Sequence, residues 1–308
     1  MVLKASYHGA TVALKASSRP GHIFLTDERL ADLANELRIF RRLRHPNVVL
    51  FLGACVLVQK RELALVMELV HGEPLGCFIV APPSNPPTPE RFMIANGVAC
   101  GLMYLHAQDP QIVHGDLKDS NVLVEKRPGL VSAKLIDFGL SRLITRHARD
   151  MGGTFAWMAP EVVINGGRDI TISADTFSFG RLLHFIMDGR RPLEGLPIEA
   201  IIAAIREGSP HAPSWSEHVP LRGRLKSLSD SCVRSTPSER PSMAEVQQLL
   251  ASMMECEVGG QATLDLEEAL DKARDVSERI DWPPGFSRSC TCSSTSVVAE
   301  FCSEPMDR

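Results

Sequence analysis

Hydrophobic spacing divides the chain into a strand-rich first part and a longer helical part. Residues 2–6 and 10–15 are short β-type runs on either side of a His8-Gly9 turn, which is the pattern of a hairpin. From Asp27 to Arg42, Leu30, Leu33, Leu37 and Phe40 recur every three or four positions, with Asp27 and Glu28 in the first turn, where the helix dipole favours acids. The spacing predicts a helix there, ended by His45-Pro46. Two β-rich runs follow, Val48 to Val58 and Glu62 to Val70, parted by the polar Gln59-Lys60-Arg61.

Beyond them Pro82, Pro83, Pro86, Pro87 and Pro89 predict a stiff surface loop over 81–89, because proline donates no hydrogen bond and cannot continue a helix. Glu90 to Ala107 resumes a helical period. Asn121 to Val124 and Ala133 to Ile136 read as strands joined by a Pro128-Gly129 turn, and residues 172–255 read as helices. A charged helical stretch from Leu264 to Ile280 precedes a Ser/Cys/Pro-rich tail expected to be disordered.

Composition narrows the function classes. The 308 residues carry 33 basic and 37 acidic side chains, a formal net charge of −4, with no basic stripe of the kind that grips nucleic acid or anionic lipid. The longest apolar run, Val48 to Val58, is about half the roughly 20 residues a bilayer span requires. The N-terminus lacks the pattern of a secretory signal, and eight thinly spread cysteines read as buried thiols in a reducing compartment. The expected location is cytoplasmic or nuclear.

Four short segments carry candidate chemistry. In Val12-Ala13-Leu14-Lys15, strand alternation puts Ala13 and Lys15 on one face. Glu36 lies beside the apolar stripe of the following helix, where a carboxylate needs a partner, and Lys15 is the obvious one. The others are His114-Gly115-Asp116-Leu117-Lys118-Asp119-Ser120-Asn121 and Asp137-Phe138-Gly139. Each alone has a plain reading: an exposed strand lysine, a solvated helix glutamate, a packed core histidine, a turn with a buried Phe. Their joint order changes that.

Together the four resemble the eukaryotic protein kinase signature set of strand lysine, helix glutamate, catalytic-loop Asp and Asn, and Asp-Phe-Gly. Gly153 to Glu161, Ser173 to Gly180 and Glu239-Arg240-Pro241-Ser242 extend the resemblance, which covers about residues 1–255. It implies an α+β, bilobal kinase fold: a β-rich small lobe with one helix over 1–70, a mainly helical large lobe over 71–255, and a tail over 256–308.

The implied activity is transfer of the γ-phosphate of ATP to a protein, with Mg²⁺ as cofactor. On that resemblance Lys15 holds the α- and β-phosphates and Glu36 orients it. Asn121 and Asp137 ligate Mg²⁺, an ion that prefers hard oxygen donors. Asp116 takes the substrate hydroxyl's proton, and Lys118 meets charge developing on the transferred group. Val2, Ala13 and Leu123 enclose the adenine, Glu68 to Val70 form the hinge, and Met67 is the gatekeeper. Asp175 and the pair Glu161 with Arg240 are implied to be structural. Lys118 and Thr154 resemble Ser/Thr kinases, while His45 to Cys55 and Trp157 to Glu161 look like the tyrosine-kinase-like group of Raf-like and plant mixed-lineage kinases.

Two departures qualify the resemblance. The chain begins at the strand after the place of the Gly-rich phosphate loop, so an N-terminally truncated coding sequence is expected, with a kinase fold that has lost its lid as the alternative. Gly115 stands where most members carry an arginine that pairs with an activation-loop phosphate, so phosphorylation within 140–153, for instance at Ser141 or Thr145, is expected not to switch activity by that route. The expected partner is a protein bearing the Ser/Thr acceptor. The 264–280 helix is a candidate dock for a regulatory partner, with a solvated appendage the plainer alternative. A pseudokinase scaffold is the competing reading, and retention of Lys15, Asp116, Asn121 and Asp137 speaks for the enzyme.

Overall fold

The computed structural model describes residues 2–7, 9–16, 37, 40–57, 62–80, 86–128, 130–137, 155–166, 170–206 and 213–258. They form two compact units that divide between Val70 and His71. Glu36, Phe138, Gly139, Ser141, Thr145, Thr154, residues 81–85 of the Pro-rich stretch and the 264–280 helix lie outside the described residues.

The first unit is an antiparallel sheet of β1 (Val2–Tyr7), β2 (Ala10–Ala16), β3 (Phe51–Leu57) and β4 (Glu62–Glu68), in spatial order β1-β2-β4-β3. Gly9, at φ +82°, supplies the left-handed turn residue between β1 and β2. In β4 the successive residues Ala64, Leu65, Val66 and Met67 are all buried, so this inner strand has apolar residues on both faces. Leu37 and Phe40 are helical, with the Arg41 N–H donating to Leu37 O at 3.0 Å, in line with the period of that stretch. The β-rich run beginning at Val48 enters its strand only at Phe51. The three residues before it follow a turn in which the Val48 N–H donates to His45 O and the Asn47 N–H to His45 Nδ1.

The second unit has a three-stranded sheet, β5 (Glu73–Pro74), β6 (Val122–Arg127) and β7 (Leu130–Leu135), and, among the described residues, helices α1 (Leu75–Val80), α2 (Thr88–His106), α3 (Pro160–Ile164), α4 (Ile172–Asp188), α5 (Ile198–Arg206), α6 (Arg222–Cys232) and α7 (Met243–Val258). Pro89, expected in the loop, lies in the first turn of α2, where its missing N–H costs no helical bond. The core is built on α2 and α4. Phe92, Ile94, Val98, Leu102 and Leu105 of α2, and Phe177, Phe179, Leu182, Leu183, Phe185 and Ile186 of α4, are fully buried. A helix apolar on every side belongs inside, and each such side chain contributes about 1.5–3 kcal/mol.

Helix α2 packs on α4, α7 and β7, and α6 packs on α4. Gly180 sets that last approach: a Cβ there would sit 2.6 Å from Cys232 Cβ. Helix α4 ends at Gly189 (φ +86°), whose N–H closes on Phe185 O at 2.8 Å. Helix α7 opens with a capping box, Ser242 N–H to Glu245 Oε2 at 2.7 Å and Glu245 N–H to Ser242 Oγ at 3.3 Å. This rigid frame holds residues 107–121, a loop between α2 and β6 that carries the candidate catalytic side chains.

Candidate active site

The loop is suspended from one carboxylate. Asp175, on α4 and 1% exposed, accepts the His114 N–H at 2.7 Å and the Gly115 N–H at 2.8 Å, and His106 Nε2 at the end of α2 lies 2.9 Å away. Asp175 thereby ties two helices to the chain two residues before Asp116. Gly115 sits at φ +77°, in the left-handed region where a side chain is strained, and glycine takes that conformation freely.

Downstream, Lys118 Nζ donates to Asp116 Oδ2 at 2.8 Å, and Asn121 Nδ2 donates both to Asp116 O at 2.7 Å and to Oδ2 at 2.9 Å. Asp116 Oδ2 is thus fixed by two donors, and Oδ1 has no hydrogen-bond partner among the described residues. Because the Asn121 nitrogen faces Asp116, its Oδ1 is left as a hard acceptor with no hydrogen-bond partner among the described residues. The Ile136 N–H donates to Asn121 O at 3.0 Å, which brings Asp137 alongside the loop.

Asp137 itself has φ +63°, a conformation that a non-glycine residue adopts at a cost. Burial pushes the His114 imidazole below its ordinary value, although the nearby carboxylates of Asp175, Asp116 and Asp137 pull it up. It is a packed support, buried beneath the loop. The donor set suits Mg²⁺: one carboxylate and one amide oxygen leave positions for phosphate oxygens and water. Among the described residues no group of three or more His, Cys, Asp or Glu forms a protein-only metal cage.

The sheet of the first unit gathers a second set. Val2 pairs with Lys15, Ala13 with Met67 and Lys15 with Leu65, so Val2, Ala13, Lys15 and Met67 share one face. Glu68 ends β4, where its N–H donates to Leu50 O at 2.9 Å and its Oε1 accepts the Leu50 N–H at 2.8 Å. Val70 follows, half-buried, and Leu123 lies on β6 opposite Pro74.

Residues 2–250 match the family described as protein tyrosine and serine/threonine kinase. The chain belongs to that family. The serine/threonine-protein kinase CTR1 of Arabidopsis thaliana is 31% identical over 264 residues, 83% of this chain and 30% of that protein. The mitogen-activated protein kinase kinase kinase 7 of Bos taurus is 31% identical over 259 residues, 82% of this chain and 42% of that protein. The chain thus spans less than half the length of either relative, and its domain is of the tyrosine-kinase-like type.

The supports of this kinase domain follow from packing. Arg240, its side chain fully buried, grips Glu161 bidentately at 2.6 and 2.8 Å and stacks on Phe177 at 5.0 Å. That pair anchors α3 below the Trp157-Met158-Ala159 segment. Two contacts had no signal in the sequence. His106 backs Asp175 across 69 positions, and Arg191 Nε donates to Asp119 Oδ2 at 2.8 Å across 72. Gly76 of α1 lies directly against the second pair: a Cβ there would come within 2.6 Å of Asp119 Oδ2. No helix among the described residues is long and apolar enough to cross a membrane.

Proposed function

We propose that this chain transfers the γ-phosphoryl group of ATP to Ser or Thr hydroxyls of protein substrates. The observation that carries the reading is Asp116. Lys118 and Asn121 hold its Oδ2 at 2.8 and 2.9 Å, so the carboxylate presents Oδ1 in a fixed direction to accept a hydroxyl proton. Lys118 then offers its ammonium to the charge developing on the transferred group. Asn121 Oδ1 and the Asp137 carboxylate are the oxygens that would hold Mg²⁺. When bound, that ion bridges phosphate oxygens and neutralises their charge. Lys15 takes the α- and β-phosphates, with Glu36 orienting it. Val2, Ala13, Met67 and Leu123 enclose the adenine, and the backbone of Glu68 to Val70 pairs with its edge. Ser/Thr preference rests on Lys118, two residues after Asp116, and on likeness to serine/threonine-protein kinases such as CTR1. Free thiols at Cys77, Cys100, Cys232 and Cys256 suit a reducing, cytoplasmic location.

The test is transfer of labelled γ-phosphate from Mg-ATP to a generic Ser/Thr substrate. It compares the chain, Asp116→Asn, Asp137→Asn, and a form extended through upstream coding sequence. Each substitution is expected to lower transfer by a factor of about 10²–10⁴. Transfer indifferent to both substitutions, or absent from both lengths, would replace the enzyme with a scaffold. With glycine at 115 there is no guanidinium to read an activation-loop phosphate, so Ser141→Ala and Thr145→Ala are expected to keep the parent rate.

A further inference from the structure

Helix α4 carries a buried cation. Arg181 of α4 is 4% exposed, donates one N–H to Ala156 O, and lies over the Phe177 ring at 4.8 Å. No carboxylate among the described residues pairs with it. Burial alone pushes its pKa down to about 10, which leaves it charged at neutral pH. Buried charges are ordinarily matched by a partner of opposite sign, because desolvation is costly.

Arg181 lines a cleft of about 420 Å³, together with His184, Arg190, Arg191, Glu194 and Ser214. That is the size of a small-ligand pocket. Its lining carries three arginines against one glutamate. Arg190 is occupied by Asp188 at 2.9 Å and by Ser214 and Ser216. Arg191 gives only its Nε to Asp119, so among the described residues both of its terminal nitrogens lack a hydrogen-bond partner. His184 adds an unused acceptor. Its Nε2 faces Ser214 O at 3.1 Å, and since a carbonyl only accepts, Nε2 carries the proton. The buried Nδ1 then holds a lone pair with no partner among the described residues.

Both walls of the cleft reach the transfer machinery. Arg191 is bonded to Asp119, the neighbour of Lys118, and Arg181 is bonded to Ala156, just before the Trp157-Met158-Ala159 segment. An extended peptide with its acceptor hydroxyl at Asp116 would have flanking residues within reach of these walls. We infer that the cleft is a substrate subsite for an Asp or Glu side chain flanking the acceptor Ser or Thr. Arg181 and Arg191 are its counter-charges. This deepens the phosphotransfer reading and rests on it, since it states which proteins that site takes.

The test separates the two. Fluorescence anisotropy measures binding to the whole chain, without nucleotide, of short labelled peptides whose central Ser is flanked by Asp and Glu, by the corresponding amides, or by Lys. Peptide KM with Mg-ATP is read in parallel. The acidic peptide is expected to bind about tenfold tighter than the amide peptide, and Arg181→Gln and Arg191→Glu each to erase that margin. Arg191→Glu should instead favour the Lys peptide, a reversal that a merely structural arginine would not produce. Because Arg191 is about half exposed, its variant carries the test should Arg181→Gln fail to fold. Equal binding of acidic and amide peptides, or an acidic preference surviving in folded Arg191→Glu, overturns the subsite. Arginine-dependent binding without any phosphate transfer leaves the subsite standing and removes the kinase reading.

Discussion

Asp175→Asn is the sharpest probe of how the catalytic loop is held. The carboxylate is 1% exposed and meets three nitrogens, with His114 N–H and His106 Nε2 on Oδ2 and Gly115 N–H on Oδ1. Asparagine keeps the volume but turns one oxygen into a donor. Whichever way the amide is placed, its NH₂ then faces at least one backbone N–H. A hydrogen bond to a charged acceptor contributes about 1.5–3 kcal/mol, so losing one outright and the charge from the others costs about 2–4 kcal/mol. Asp175→Ala leaves the buried His114 N–H and the part-buried Gly115 N–H without an acceptor and should cost more, about 3–5 kcal/mol. With a urea m-value of about 3 kcal/mol/M, the Asn variant's midpoint should fall by roughly 1 M with an unchanged slope. The assay is urea unfolding followed by far-UV circular dichroism, paired with γ-phosphate transfer, which should fall in both variants as Asp116 loses its fixed direction. A midpoint within about 0.2 M of the parent for Asn, or an Ala variant no weaker than Asn, would refute this account of the loop.

Three further outcomes are expected. Glu161→Gln leaves the buried Arg240 guanidinium without its counter-charge and should destabilise by about 2–3 kcal/mol, while Glu161→Gln with Arg240→Met should recover part of that loss; thermal melts of the cycle decide it. Gly180→Ala drives a methyl to 2.6 Å from Cys232 Cβ and 2.9 Å from Val233 Cγ1, so α6 must shift, at about 1–3 kcal/mol in urea unfolding; a neutral result would mean α6 is not seated as described. Burial holds the imidazoles of His114 and His184 below the ordinary 6.5, so as pH falls the unfolded chain takes up protons first. Stability should therefore be complete above about pH 6.5 and decline below it, by up to about 1.4 kcal/mol per pH unit for each group. Urea midpoints at pH 7.5 and 5.5 read this directly, and a rise on acidification contradicts it.

What the sequence made legible, and what it hid, follows from the range of each interaction. The β1–β2 hairpin, the helices from 172 onward and the β6–β7 pair were readable because period and turn chemistry are local: Gly9, for instance, announces its turn. Asp116, Lys118 and Asn121 were readable for the same reason, since all three fall within six positions and hold one another. Helix α1 was missed because its six residues, Leu75 to Val80, are too few to show a period. Pro89 was misplaced because proline signals a loop and a helix's first turn alike. The arginines were missed for a different reason. Nothing beside Arg181 or Arg191 in the sequence distinguishes them from solvated cations on a helix and its following loop. Their meaning lies in Ala156, 25 positions away, and in Asp119, 72 away. A local pattern thus reports the machinery a fold family shares, whereas the arginines of the proposed acidic subsite are defined by long-range pairings, visible only once helix α4 has brought them to one cleft.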